Sequence, residues 1–493
     1  MRFLISGYRN GKFRLDSARR LGVVFLLFYS CHTVNAQDTH HWNNQFGTRA
    51  ALLGGAVLTD TLDNAGVYYN PGNLSFLDTA SLSINSNFYG MDNISIQNAL
   101  GNQADYKGLQ FNTIPLLISG SVTLSPKWKL SYGLLTPVSF KFNGNARLVE
   151  MADLINEDES PGLEELVAES SLNTRVQETS LSIGMGRRIN SNFGVGLSLI
   201  STLRTTDFTT DFSAKTLTNT EDYILVSRAQ DSYVNYFTVR TALKAGLNYQ
   251  KNNYGIGLTF ITPGINLFGN GTISKDITLN NLYIDKIDRR LTAFASDRQE
   301  KLKAKYKAPM EISAGGHLQL GTGVIHLNVT HFGGYDTYTI IDAEPGTFIR
   351  PGGDEAGLGS DKFLNLETAM KSVTNFALGY ELPVKSNVSL LGSFRSDFSY
   401  FDPDIFESLQ IITEVTQWDI YHFTFGGIIE KNRSSLTLGL VYSTGQTDGY
   451  LQKGSFTNST INKPLEGSLT ITDAKYTNIG LLIGYSFNFK KLN

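Results

Sequence analysis

The sequence predicts an all-β fold: a transmembrane antiparallel β-barrel of about fourteen strands, with an N-terminal hatch inside its lumen. Three observations carry this. Segments with alternating apolar and polar side chains recur along most of the chain. Their connections alternate strictly between tight turns and long loops. The chain opens on a stretch that reads as a secretory signal peptide.

The alternation is plainest at the end. From Lys475 to Phe489, Thr477, Ile479, Leu481, Ile483, Tyr485, Phe487 and Phe489 share one face. Tyr476, Asn478, Gly480, Gly484, Ser486 and Asn488 share the other, broken only by Leu482. Successive strand side chains face opposite sides, so one wall is greasy and the other small and polar. Mean hydropathy is -0.13. No run of eighteen apolar residues exists, so the spanning elements are not helices.

Arg14, Arg19 and Arg20 precede the apolar run Leu21 to Tyr29, and Val34-Asn35-Ala36 supplies small residues where a signal peptidase inspects. Cleavage is expected after Ala36, giving a signal peptide (1–36), a hatch (37–78) and a barrel (79–493). Cys31 keeps a lipoprotein alternative open. Cleavage takes away the single cysteine, six of 42 basic residues and one of 45 acidic ones, leaving a net charge of -8. No disulfide can then form, and an acidic exported chain is a poor partner for nucleic acid. The expected location is a bacterial (Gram-negative) outer membrane, with its lipid as one partner.

Strands follow in order. The first is expected over Ala80 to Tyr89, then Leu109 to Leu124, a turn at Ser125-Pro126-Lys127, and Trp128 to Phe142. A loop of about thirty residues should run to Asn173. Thr174 to Ile189 descends to Asn190-Ser191-Asn192, and Phe193 begins the next strand. Tyr233 to Tyr249 turns at Gln250–Asn253 into Tyr254, Ile256, Leu258 and Phe260. A long loop is expected over Lys275 to Lys305, then strands from Met310 to Leu320 and from Ile325. Beyond a loop over Asp342 to Glu367, strands begin near Phe376, Val388, Tyr421 and Leu436, and the closing segment completes the set. Six tight turns and seven long loops place both chain ends on the short-turn, periplasmic side.

A barrel this wide needs a lining or a filling. Arg188, Arg240, Lys244, Glu311, His317, His326 and Arg395 have inward parity. They either cross-link a polar interior or line a selective polar pathway. About forty small, apolar, turn-rich residues precede the first strand, unlike a disordered tail, and suit a plug within the lumen. In the third strand, Gly133 and Pro137 predict interrupted pairing, since proline donates no ladder bond and glycine often marks a bulge. In the second long loop, Leu148, Met151 and Ile155, then Leu163, Leu166 and Val167, sit at helical spacing among acids. Short amphipathic helices are expected there, either packed on the rim or open as a greasy landing site.

The segments Gly54-Gly55-Ala56, Asp63-Asn64-Ala65 and above all Tyr69-Asn70-Pro71-Gly72-Asn73-Leu74 resemble the N-terminal hatch of the FadL-type outer-membrane transporters of long-chain fatty acids and other hydrophobic compounds. That hatch carries Asn-Pro-Ala followed by leucine; Gly72 stands here in place of the alanine. Tyr132-Gly133-Leu134-Leu135-Thr136-Pro137 resembles the family's third strand, and Lys307-Ala308-Pro309-Met310-Glu311 the approach to its eighth. The resemblance implies passive uptake of a hydrophobic small molecule. It implies a hatch around Asn70 to Leu74 and a lateral gap near Gly133, Leu134 and Pro137. The kink could equally be a bulge that only shapes the barrel. Some barrels of this type serve secretion systems, so a protein partner at the long outer loops is the alternative.

Other chemistry is thin. His40-His41 has no partners at metal spacing and reads as a flexible end. Gly352-Gly353 and Gly269-Asn270-Gly271 lack the features of a phosphate loop. Lone His317 or His326 does not make a Ser–His pair. No enzyme activity and no cofactor are expected.

Overall fold

A computed structural model describes residues 39–60, 65–77, 81–284, 289–346, 349–350, 363–409, 411, 413–457, 465 and 467–488. The signal-peptide reading, Asp63-Asn64 and most of the loop after Asp342 lie outside the described residues.

The strands are β1 (Ser81–Ile96), β2 (Tyr106–Ser125), β3 (Trp128–Leu135), β4 (Ser139–Ala152), β5 (Glu164–Arg188), β6 (Phe193–Leu217), β7 (Leu225–Lys251), β8 (Tyr254–Ile261), β9 (Ile265–Ile284) and β10 (Arg289–Lys303). There follow β11 (Glu311–Leu320), β12 (Gly323–Phe332), β13 (Tyr335–Ile341), β14 (Ile349–Arg350), β15 (Leu366–Met370), β16 (Val373–Lys385), β17 (Val388–Asp397), β18 (Ile420–Lys431), β19 (Ser434–Ser455) and β20 (Ser468–Asn488). Three staves are each split in two: β3/β4, β8/β9 and β10/β11. Counted so, fourteen antiparallel staves form one ring. It closes where β1 pairs with β20, from Ser81↔Asn488 to Ile96↔Ala474. The ring is a transmembrane β-barrel. Closure leaves no sheet edge to meet lipid, which is the condition for crossing a bilayer with strands.

The outside carries an apolar belt. On β20, Ile479, Leu481, Ile483 and Tyr485 face outward, while Asn478 and Leu482 are buried inside. Leu181, Ile183 and Met185 on β5 and Leu197 and Leu199 on β6 continue the belt. A span needs about 9–11 strand residues, yet β5, β6 and β7 have 25, 25 and 27. The excess rises on the long-loop side, where the pattern inverts. On β5, Leu166, Ala168, Leu172 and Val176 point inward, while Glu169, Asn173 and Arg175 point out.

This inversion corrects two expectations. The stretches 143–173 and 275–305 are mostly strand, not loop. The expected amphipathic helices are the paired ends of β4 and β5, joined through Val149↔Val167. Leu148, Ile155 and Leu166 are buried, Met151 and Leu163 are exposed, and Val167 is half-buried on the outer face. Helical spacing mixes odd and even positions, and a strand sends those to opposite faces.

The lumen is filled from both ends. From the short-turn side the hatch, described over residues 39–60 and 65–77, enters the lumen; it includes a four-residue helix, α1 (Gly66–Tyr69), and a 3-10 turn over Pro71–Phe76. Inward glycines make room for it. A Cβ at Gly186 would lie 2.6 Å from Ser75 N, and one at Gly257 2.6 Å from Leu58 O. On the long-loop side, the antiparallel pair β13/β15 and residues 398–409, 411 and 413–419 contribute to an apolar core that includes Tyr338, Ile340, Ile341, Val415 and Trp418.

Candidate functional site

The hatch motif works through its side chains. Asn70 caps the 3-10 turn by accepting from Gly72 N at 2.9 Å. Its amide donates to Leu58 O at 2.7 Å and to Leu247 O on β7 at 2.9 Å. Asn248 donates to Asn73 Oδ1 at 2.7 Å, and Leu74 is fully buried. Gly72 is fitted to its wall: an added Cβ would stand 3.0 Å from Asn248 N and 3.1 Å from Gly246 O, both backbone. Alanine there would crowd β7.

From its lower turns the hatch reaches far up the barrel. Thr39, the first described residue, bonds Thr416 and Ser399 among the loop-side residues. His40 Nε2 lies 2.9 Å from Trp418 O. His41 stacks on Phe332 at 4.4 Å and packs on Tyr400 at 4.6 Å. The pair is therefore built into the lumen, not a flexible end, and at Thr39 the chain lies deep in the barrel rather than at its short-turn mouth. A string of polar and aromatic partners holds it there.

Next, the hatch meets the wall break. Thr136, Pro137 and Val138 separate β3 from β4. Between Leu117↔Leu135 and Lys107↔Asn145, β2 has no registered partner on this side. Asn44 N donates to Pro137 O at 3.2 Å, and its side chain donates to Thr136 O at 3.2 Å. Ser139 N donates to Asn43 Oδ1 at 3.4 Å. The hatch thus meets polar groups that the broken ladder leaves open. Arg395 fixes this segment by donating to the carbonyls of Trp42 and Asn43. Of the three expected gap residues, only Pro137 lies in the break. Gly133 and Leu134 pair regularly with Ser119 and Ile118. Gly133 shows no bulge; its bare face lies against Val67 of the hatch.

All seven expected polar lumen residues point inward. Arg188 donates to Ser75 O at 3.1 Å and lies over the Phe76 ring. His317 Nδ1 lies 2.7 Å from Thr59 Oγ1. Lys244 pairs with Glu311 at 3.3 Å. Arg240 meets Glu178 at 2.8 Å, and Arg204 meets the same carboxylate at 2.9 Å. His326 stands 3.8 Å from Glu381, which also takes Arg49 of the hatch. Arg49 completes its charge balance with Asp60 at 2.9 Å. Sequence reading missed Arg49, Glu178, Arg204 and Glu381. Parity was the available signal for three of them: Glu178, Arg204 and Glu381 fall opposite the outward Leu181, Leu199 and Tyr380.

Between hatch and loop core lies a cavity of about 150 Å³. Glu178, Arg204, Arg240, Lys244, Tyr68 and Tyr306 line it. Two arginines share one carboxylate, so positive charge exceeds negative in that group. Among the described residues, Arg204 Nε and Nη2 and Arg240 Nη1 make no hydrogen bond. His41 closes the top of this space. Burial holds its pKa down to about 3, so the ring is neutral. A second space of about 70 Å³ lies across Asn44 and Gln45, which border both. It is lined by Ile114 and Phe140, from the two strands flanking the wall break.

This architecture is found in solved structures. A Pseudomonas aeruginosa FadL homologue superposes with a TM-score of 0.55 over 93% of this chain and 100% of that one, at 12% identity. The chain has the FadL-type barrel fold. The Pseudomonas putida toluene transporter TodX matches at TM-score 0.52, 12% identity, 93% of this chain and 100% of that one. The Ralstonia pickettii toluene transporter TbuX gives 0.53, 11%, 91% and 99%. No protein-family profile and no curated protein matches the sequence.

Proposed function

We propose that this protein is a passive outer-membrane channel for hydrophobic compounds, and that its preferred substrates are acyl chains carrying a carboxylate, such as long-chain fatty acids. One observation carries the reading: a cavity beside arginine N–H groups that make no hydrogen bond among the described residues stands next to a wall break that the hatch plugs. An ionised headgroup would take charge-assisted bonds from Arg204 and Arg240. Withdrawal of Asn43 and Asn44 would join the two cavities and open the β2/β4 break. An apolar tail would then leave sideways into lipid, which solvates it better than water does. No reaction is part of this cycle, and the driving force is the substrate's own gradient. The FadL-type neighbours, two of them named as toluene transporters, support a hydrophobic cargo.

The test is uptake of fluorescent oleate into vesicles holding the purified barrel. Wild type should exceed empty vesicles, and Pro137→Val, which restores a ladder donor, should slow release. Arg204→Gln with Arg240→Gln should weaken oleate but not oleyl alcohol, by roughly tenfold if one charged hydrogen bond is lost. Equal uptake with and without protein would sink the proposal. Capture of a large protein partner, with no lipid by mass spectrometry, would favour the secretion role instead.

A further inference from the structure

A second weak place in the wall faces the same cavity. Thr262, Pro263 and Gly264 separate β8 from β9, and on the neighbouring stave residues 304–310 separate β10 from β11. Ladder pairing stops at Asn270↔Lys303 and resumes at Ile261↔Glu311. In between, Ala304 N donates to Gly269 O at 3.3 Å and Gly264 N to Ala308 O at 2.9 Å. Tyr306 N turns to a side chain, Asn266 Oδ1, at 3.2 Å. Pro263 and Pro309 can donate nothing.

The two faces of this seam differ in kind. Outside, Ile265, Leu267 and Phe268 are 65%, 56% and 60% exposed, an apolar rim in the belt. Inside, Gly264, Ala308 and Pro309 line the main cavity beside Arg240 and Tyr306, so the wall at the seam itself is made of small residues and proline. The ladder links this seam to the first break. From Val138, a row of paired residues runs through Glu178, Arg204 and Thr238 to Gly269. The cavity lies between two interruptions at one level of the sheet. The upper end of the seam is tied to β13, through Lys305 N to Ile340 O at 2.9 Å and an Ala304↔Ile341 bridge.

We propose that the β8/β9–β10/β11 seam is a second lateral port, through which apolar chains dissolved in the membrane reach the cavity. The loop-side apolar core stands in the upper lumen, so a bilayer-facing inlet spares the substrate a path past it. With the β2/β4 break as outlet, the cavity becomes a crossing between two points of the barrel wall. This proposal rests on the uptake reading.

A cysteine pair tests it. The chain's one cysteine, Cys31, lies in the stretch read as a signal peptide, so introduced thiols react alone. A Cβ at Gly264 would lie 3.1 Å from Ala308 Cβ, within a few tenths of an ångström of the span a disulfide bridges. Gly264→Cys with Ala308→Cys, oxidised, should take up fluorescent oleate from donor vesicles at least about fivefold more slowly, and reductant should restore the rate. Wild-type uptake with an unchanged locked rate overturns the second port and leaves the uptake reading standing. No wild-type uptake at all overturns both. Ala308→Cys alone forms no crosslink and keeps the test open if the pair folds poorly. A bulky maleimide on it should slow uptake, and an unchanged rate overturns the port.

Discussion

Replacing Gly186 should lift the hatch off the wall while leaving the barrel intact. A Cβ there would stand 2.6 Å from Ser75 N and 2.7 Å from Leu74 Cβ. Carbon contacts are comfortable near 3.5 Å, so the 3-10 turn must retreat by roughly 0.8 Å. That retreat strains the Arg188 bond to Ser75 O and the seat of Leu74. Overpacking of this kind costs about 2 kcal/mol for Gly186→Ala, and more for Gly186→Val. Local opening of the hatch should then rise by roughly thirtyfold. Hydrogen exchange reads this directly, as faster exchange over residues 65–77 with the ladder amides of β6 and β7 unchanged. Gly392→Ala is the control, because its added Cβ meets nothing nearer than 3.6 Å. If Gly186→Val exchanges like wild type, the glycine floor does not seat the hatch.

Glu178→Gln leaves Arg204 and Arg240 buried with no carboxylate between them. Loss of about 3–5 kcal/mol is expected, read as a lower heat-modifiable gel-shift temperature, and Glu178→Gln with Arg204→Gln should recover part of it. His41 gives a pH dependence. Its pKa inside the lumen, about 3, lies below its ordinary value, so the withdrawn segment binds the proton better. The segment's docking is therefore strongest above about pH 6.5 and weakens as pH falls from there towards 3, by about 2 kcal/mol between pH 7 and pH 5. Fluorescence of Trp42, with Trp128 and Trp418 replaced by Phe, should report that loosening, and His41→Phe should flatten it.

Alternation located the membrane belt because lipid outside and polar groups inside oppose each other residue by residue. The same rule hid the upper parts of β4, β5, β9 and β10. There water lies outside and an apolar core inside, so the greasy face changes sides and Leu166 and Val167 look like parts of a helix. Pro137 was legible because a missing N–H is a property of one residue. The seal on it was not, since Asn43 and Asn44 reach it from more than ninety residues away. The hatch announced itself by composition. Its counterpart, glycines at inward positions such as Gly186, Gly246 and Gly257, was also written in the strands, yet each reads alone as an ordinary small residue.

The placement of Thr39 bears on how the molecule assembles. Arg49 grips Glu381 and Arg395 grips the Trp42 and Asn43 carbonyls, both across more than three hundred residues. The ring closes by joining β1 to β20, the first and last staves. A finished ring admits a loose chain only through a mouth already crowded with side chains. A hatch laid against β16 and β17 while the sheet is still open would avoid that passage and serve as a mandrel for the last seam. Non-local contacts slow folding, and this barrel carries two such sets, one inside the other.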